Sequence, residues 1–195
     1  MTVSRWFCIR HGESSANAGE ATEDPLSIPL TERGRHQAEQ VAREWRGAEP
    51  ALIIVSPATR AQETAAPTVA RFPVVPVQTW PVQEFTYLAP GRCAGTTVDE
   101  RREWVKAYWL RADPHHIDGV GAESFAEFIG RVAATRESLA QLSLPAGSKV
   151  MLFGHGQFIN AFRWLRTGAA ALDMAAFRAF DAQNHVQNGQ VLALD

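Results

Sequence analysis

Apolar and polar positions along this chain follow two rhythms. Apolar runs at Val3–Ile9, Ala51–Val55 ("ALIIV"), Val74–Thr79 ("VVPVQT") and Lys149–Phe153 ("KVMLF") read as strands, and Gln190–Leu194 is a weaker fifth. Ala51–Val55 is unbroken and β-branched, as a central strand buried on both faces would be. Pro76 cannot donate to a ladder, so Val74–Thr79 is expected at an edge. Between these runs the apolar period lengthens to that of a helix. Thr31 is placed to cap a helix reaching about Arg46, with Gly47 as its stop. Ala58–Arg71 is a second helix, which Pro67 should kink or shorten. Val98–Leu110 is aromatic and charged. Ser124–Leu142 carries Phe125, Phe128, Ile129, Val132 and Leu139 at helical spacing. Gln157–Arg166 and Leu172–Phe180 complete the set. Strands alternating with helices predict an α/β fold, a three-layer sandwich with a mostly parallel central sheet.

That prediction changes the meaning of the residues at the strand ends. In open α/β sheets, ligands bind beyond the carboxyl ends of the strands. The first run ends in "IRHGES", with Arg10, His11 and Gly12 in succession. Arg10 offers a planar fork of donors suited to phosphate. His11 offers a ring nitrogen able to act as nucleophile, base or ligand. Gly12 leaves room for a substrate to approach the backbone. The second run leads into "VSPATRAQET", with Arg60 near a helix start, and the fourth into "FGHGQF", with His155 between two glycines. "PVQEF" after the third run supplies Glu84. Each residue alone has an ordinary reading as a solvated charge or a turn. Arriving together at one sheet edge, they form a phosphoryl-transfer set. Two guanidinium groups would hold a phosphoryl dianion and lower the pKa of His11, keeping it neutral and nucleophilic, with its other nitrogen on a backbone carbonyl. His155 would add a hydrogen bond to the phosphoryl group. Glu84 would protonate the leaving alkoxide and then activate water. Because the arginines carry the positive charge, neither metal nor cofactor is expected.

Composition narrows the picture further. The 195 residues suit one domain, are 46% hydrophobic and 21% charged, and carry a formal net charge of −2. That balance argues against a general nucleic-acid or membrane surface. No leader-like segment or membrane-length apolar run is evident, so a cytoplasmic enzyme is expected. Cys8 and Cys93 give neither a disulfide framework nor zinc spacing, and Cys8 reads as a buried thiol.

The segments "RHGESSAN", "PLTERGRHQAEQVA", "SPATRAQETA", "GAESFAEFIGRV" and "FGHGQFI" together resemble the histidine phosphatase superfamily, in its phosphoglycerate-mutase-like branch. The resemblance implies that His11 is the residue that becomes phosphorylated. It places Arg10, Asn17, Arg60 and His155 in the phosphate pocket and Glu84 as proton donor, with less sharp roles for Glu13 and Ser14. It implies one domain over 1–195 with a helical cap insertion at about 85–145. The activity implied is a metal-independent histidine phosphatase, a phosphoric monoester hydrolase acting on a small phosphorylated metabolite. The alternatives are a cofactor-dependent phosphoglycerate mutase and an inactive phosphate-binding regulatory protein. Mutases of this family usually carry a longer insertion and a longer C-terminal tail, so hydrolysis is the expectation.

Other segments yield to plainer readings. The histidines of "DPHHID" (His115, His116) lack further ligand spacing and are expected in a loop lining the substrate mouth. Trp104, Tyr108 and Trp109 read as the packing face of a cap helix. Tyr87, Arg92 and Cys93 follow Glu84 closely and could shape specificity.

Overall fold

The computed structural model describes residues 5–194. Among them, five strands form one sheet in the order β3-β2-β4-β1-β5. Strands β1 (Arg5–Arg10), β2 (Leu52–Val55), β3 (Val77–Thr79) and β4 (Lys149–Gly154) run parallel, while β5 (Val191–Leu194) lies antiparallel to β1. The expected start of the first strand at Val3 lies outside the described residues.

Strand alternation builds the three layers. Ile9, Ile53, Val55, Met151 and Phe153 point to one side of the sheet. There they meet α1 (Glu32–Glu44) and α2 (Thr59–Arg71) through Val41, Ala61 and Ala65. Their immediate neighbours Cys8, Leu52, Ile54, Val150 and Leu152 point to the other side. That face is covered by α5 (Phe125–Ala140), α6 (Gly156–Trp164) and α7 (Met174–Gln183), with Phe125, Phe128, Phe158, Phe162 and Phe177 fully buried. A one-residue slip would exchange the two cores, so the register is strongly specified.

The expected helices form, with shifted ends. Thr31 caps α1 through Gly34 N–H. Ser124 and Glu127 form a reciprocal capping box on α5. Helix α2 runs through Pro67 to Arg71 without shortening, held to the sheet by buried Ala61, Thr64, Ala65 and Thr68; one missing rung does not outweigh that packing. A single turn, α3 (Pro90–Cys93), precedes α4 (Arg102–Arg111). Helix α4 starts four residues later than Val98 because the Glu100 side chain accepts bonds from the backbone and hydroxyl of Thr97, making a turn there instead. The edge strand β3 is shorter than expected. Val74 is exposed and the chain turns at Phe72–Val75, while the Pro76 carbonyl still accepts from Ile53 N–H.

Strands β1 and β4 are neighbours, yet α1 leaves β1 for one face and α6 leaves β4 for the other. A crevice therefore opens at their carboxyl ends, where successive helices diverge.

Candidate active site

The crevice brings His11 and His155 together. Arg10 is in register with Gly154, and His11 N–H donates to the Gly154 carbonyl at 3.0 Å. The two imidazoles lie 5.0 Å apart, centroid to centroid. Both are buried. His11 Nδ1 sits 2.7 Å from the Gly12 carbonyl, an acceptor that requires Nδ1 to carry the proton. Nε2 is then a lone pair, and it accepts from Arg60 Nε at 3.2 Å. Burial, first, and then the Arg60 and Arg10 charges hold the His11 pKa well below its ordinary value, against the opposing pull of the Gly12 carbonyl. Burial thus leads an effect that the sequence reading assigned to neighbouring cations.

Arg60 is the second residue of α2, and its side chain is pinned at both ends: Nε on His11, and Nη1 on the Pro25 carbonyl at 2.6 Å. Desolvation brings its pKa down to about 10, so it stays a cation at neutral pH. Arg10 Nη1 donates to the Val186 carbonyl at 2.5 Å, while its buried Nε has no partner among the described residues. His155 occupies the N-cap position of α6. Its Nε2 lies 2.8 Å from Ser56 Oγ, and its buried Nδ1 has no partner among the described residues. Burial, followed by Arg60, His11, Arg10 and Arg131, lowers its pKa well below the ordinary range.

Glu84 reaches the same crevice from the stretch after β3. Its carboxylate accepts from Gln157 N–H at 3.3 Å and from Phe158 N–H at 3.2 Å, in the first turn of α6. Burial raises its pKa, outweighing Arg10, the Gln157 amide, Arg60 and the Phe85 amide, which all pull it down. The other nearby carboxylates are committed elsewhere. Glu13 bonds Thr31 and Arg33, and Glu123 pairs with Arg131 at 2.5 Å. Asn17 sits in the loop after β1, where its Oδ1 accepts from Ser14 N–H and from Asn188 Nδ2. Asn188 Nδ2 also donates to the His11 carbonyl at 3.0 Å, tying Asn17 to the histidine backbone.

Two expectations change. Gly12 does not clear a path for substrate. A Cβ there would stand 2.4 Å from the Gly34 carbonyl oxygen, and one at Gly34 would stand 2.0 Å from the Glu13 oxygen. The glycines let the strand end and α1 touch backbone to backbone. The His115–His116 loop is not part of the mouth either. Neither residue lines the cavity beside the site, and the His116 ring packs 6.0 Å from that of Tyr108. Tyr87 and Cys93 do line that cavity, whereas Arg92 bonds Asp118 and lies over Trp104. Sequence reasoning missed Ser56, Asn188 and the α6 amides. Ser56 lay inside the quoted "SPATR" and was open to notice; the others carry no local signal.

Comparisons with known proteins identify the family of the chain. A "Probable phosphoglycerate mutase GpmB" of Yersinia pestis is 30% identical over 155 residues, covering 79% of this chain and 70% of the relative. The protein of that name in Yersinia enterocolitica is 29% identical over 167 residues, with the same coverages. Among solved structures, the alpha-ribazole phosphatase of Shigella flexneri superposes with TM-score 0.76 at 22% identity, covering 98% of this chain and 90% of the other. A mycobacterial glucosyl-3-phosphoglycerate phosphatase, solved with VO3, superposes with TM-score 0.76 at 24% identity over 99% of this chain and 91% of the other. These structures share the fold. The family model that matches residues 6–188 reaches from within β1 to Asn188, and by that match the chain belongs to the histidine phosphatase superfamily, branch 1.

Proposed function

We propose that this chain is a metal-independent phosphomonoester hydrolase that works through a phosphohistidine at His11. The observation that carries the reading is the state of that ring: Nδ1 anchored on the Gly12 carbonyl, and Nε2 presented as a lone pair beside the Arg60 guanidinium. The Nε2 lone pair attacks phosphorus while the bond from phosphorus to the ester oxygen breaks. Glu84, whose protonated form burial favours, gives its proton to the departing oxygen. Arg10, Arg60 and the Nδ1 proton of His155 hold the phosphoryl oxygens as charge spreads. Glu84 then takes a proton from water, whose oxygen attacks phosphorus; the P–N bond breaks and neutral His11 returns. The arginines supply the charge that a metal would otherwise bring. The substrate is a small phosphorylated metabolite, and the setting is cytoplasmic; no helix among the described residues is long and apolar enough to cross a membrane.

The Yersinia relatives make phosphoglycerate mutase the second reading, since both reactions begin with the same transfer. Rapid quench with labelled phosphomonoester should trap an acid-labile, base-stable adduct that His11→Ala abolishes, with unchanged rates in chelator. Phosphate release should exceed interconversion of 2- and 3-phosphoglycerate on the same preparation, even with bisphosphate primer. Full activity of His11→Ala would overturn the mechanism, and faster interconversion would make the chain a mutase.

A further inference from the structure

A cavity of about 210 Å³ opens beside the phosphate-binding groups, and Arg60 and Glu84 belong to its wall as well as to the site. A phosphoryl group on Arg60, with its ester oxygen toward Glu84, therefore sends the rest of the molecule into this cavity. The wall there is mostly apolar: Leu26, Ile28, Phe85, Leu88, Val98 and Val105 line it. Leu26 and Val98 are 42% and 55% exposed, at its mouth. They come from two separate loops that a Thr22–Thr96 bridge joins.

The charges are equally telling. Arg60 and Arg101 are the cations of the wall. Arg60 belongs to the phosphate. Arg101 turns Nε and Nη2 onto the wall itself: Nε donates to Thr96 Oγ1 at 2.7 Å, and Nη2 donates to Thr22 Oγ1 at 2.7 Å and to the Cys93 and Thr96 carbonyls. It pins the two loops together and faces four protein oxygens. The other lining charge besides Glu84 is Glu23, which would repel an anion. The remaining polar members, such as Gln83, Thr86 and Tyr87, are uncharged.

We propose that this cavity selects an uncharged, apolar leaving group, so that the substrates are alkyl or aryl phosphomonoesters rather than carboxylated ones such as phosphoglycerates. This rests on the hydrolase reading above and names its substrate class. A dry cavity of about 150 Å³ already accommodates a benzene-sized guest, so the present one suits a single ring or a short alkyl chain.

Phosphonates test the cavity without requiring turnover. Calorimetric titration with linear alkylphosphonates of two to six carbons should show Kd falling up to about fourfold per added methylene until the cavity fills. The heat-capacity change should grow more negative along the series. A phosphonocarboxylate of equal length should bind more weakly than its alkyl counterpart. Leu26→Asp and Val98→Asp, at exposed positions that tolerate charge, should each flatten the series. A flat series for the unaltered protein, or tighter binding of the carboxylated ligand, overturns the inference whatever the turnover. A rising series without phosphate release from hexyl phosphate sustains the apolar cavity and overturns hydrolysis instead.

Discussion

Ser56 Oγ lies 2.8 Å from His155 Nε2, joining the end of β2 to the end of β4 where both residues are fully buried. The contact occupies one imidazole nitrogen and leaves Nδ1, unpartnered among the described residues, as the nitrogen available to a phosphoryl oxygen. Ser56→Ala would leave Nε2 buried without a partner, a loss of about 1–3 kcal/mol in stability. Vanadate, whose five-coordinate form resembles the transferring phosphoryl group, should inhibit the unaltered protein, and this variant less, because the ring loses its fixed tautomer and orientation. Denaturant unfolding and vanadate titration of the same variant check both outcomes.

Glu84 is held by the amides of Gln157 and Phe158 and by no side-chain donor among the described residues. As general acid it matters most for poor leaving groups. Glu84→Gln should lower kcat/KM for alkyl phosphates by about 10²–10⁴ and for p-nitrophenyl phosphate far less. Equal losses on both substrates would remove the acid role from Glu84.

The pKa directions set a pH profile. His11 titrates well below its ordinary value of 6.5, so it remains a neutral nucleophile as pH falls through 6.5, and the acid limb lies below that value. Glu84 titrates above its ordinary 4.5, so the proton needed for the leaving group persists beyond 4.5, and activity declines as pH rises through the raised value. The alkaline limb should vanish for aryl substrates, which need no acid. Stability follows the same logic. The depressed pKa values of His11 and His155 give stability that is present above the unfolded value near 6.5 and lost as pH falls below it, by up to about 1.4 kcal/mol per pH unit for each ring. Glu84, with its raised pKa, acts in the opposite sense but is one group against two, so thermal melts between pH 7 and 5.5 should shift downward on acidification.

Gly34 lies in the first turn of α1, where a Cβ would come within 2.0 Å of the Glu13 carbonyl oxygen. Since both partners are backbone, neither can yield cheaply. Gly34→Ala should lower stability by about 1–3 kcal/mol, despite the better helix propensity of alanine. It should also slow turnover by moving the loop that carries Asn17. A melting temperature equal to that of the unaltered protein would contradict this packing.

Local pattern determined most of the strands and helices, though not the single turn α3 or the starts of β3 and α4, because side-chain alternation and capping act within a few residues. Thr31, Ser124 and the apolar runs at Leu52–Val55 and Lys149–Phe153 are legible for that reason. The strand-end arginines and histidines were also legible, since a parallel sheet delivers its strand ends to one edge whatever the strand order. Only the tertiary structure decided what those residues touch. That β1 and β4 are neighbours follows from pairing across more than a hundred residues of chain, and no local pattern encodes it. The same long-range closure set Ser56 against His155, Asn188 against the His11 carbonyl, and the α6 amides against Glu84. It turned Gly12 from an opening into a contact with α1. It also drew Leu26 and Val98 from distant loops onto one cavity wall, because the Thr22–Thr96 bridge and the Arg101 guanidinium join those loops regardless of their separation in sequence.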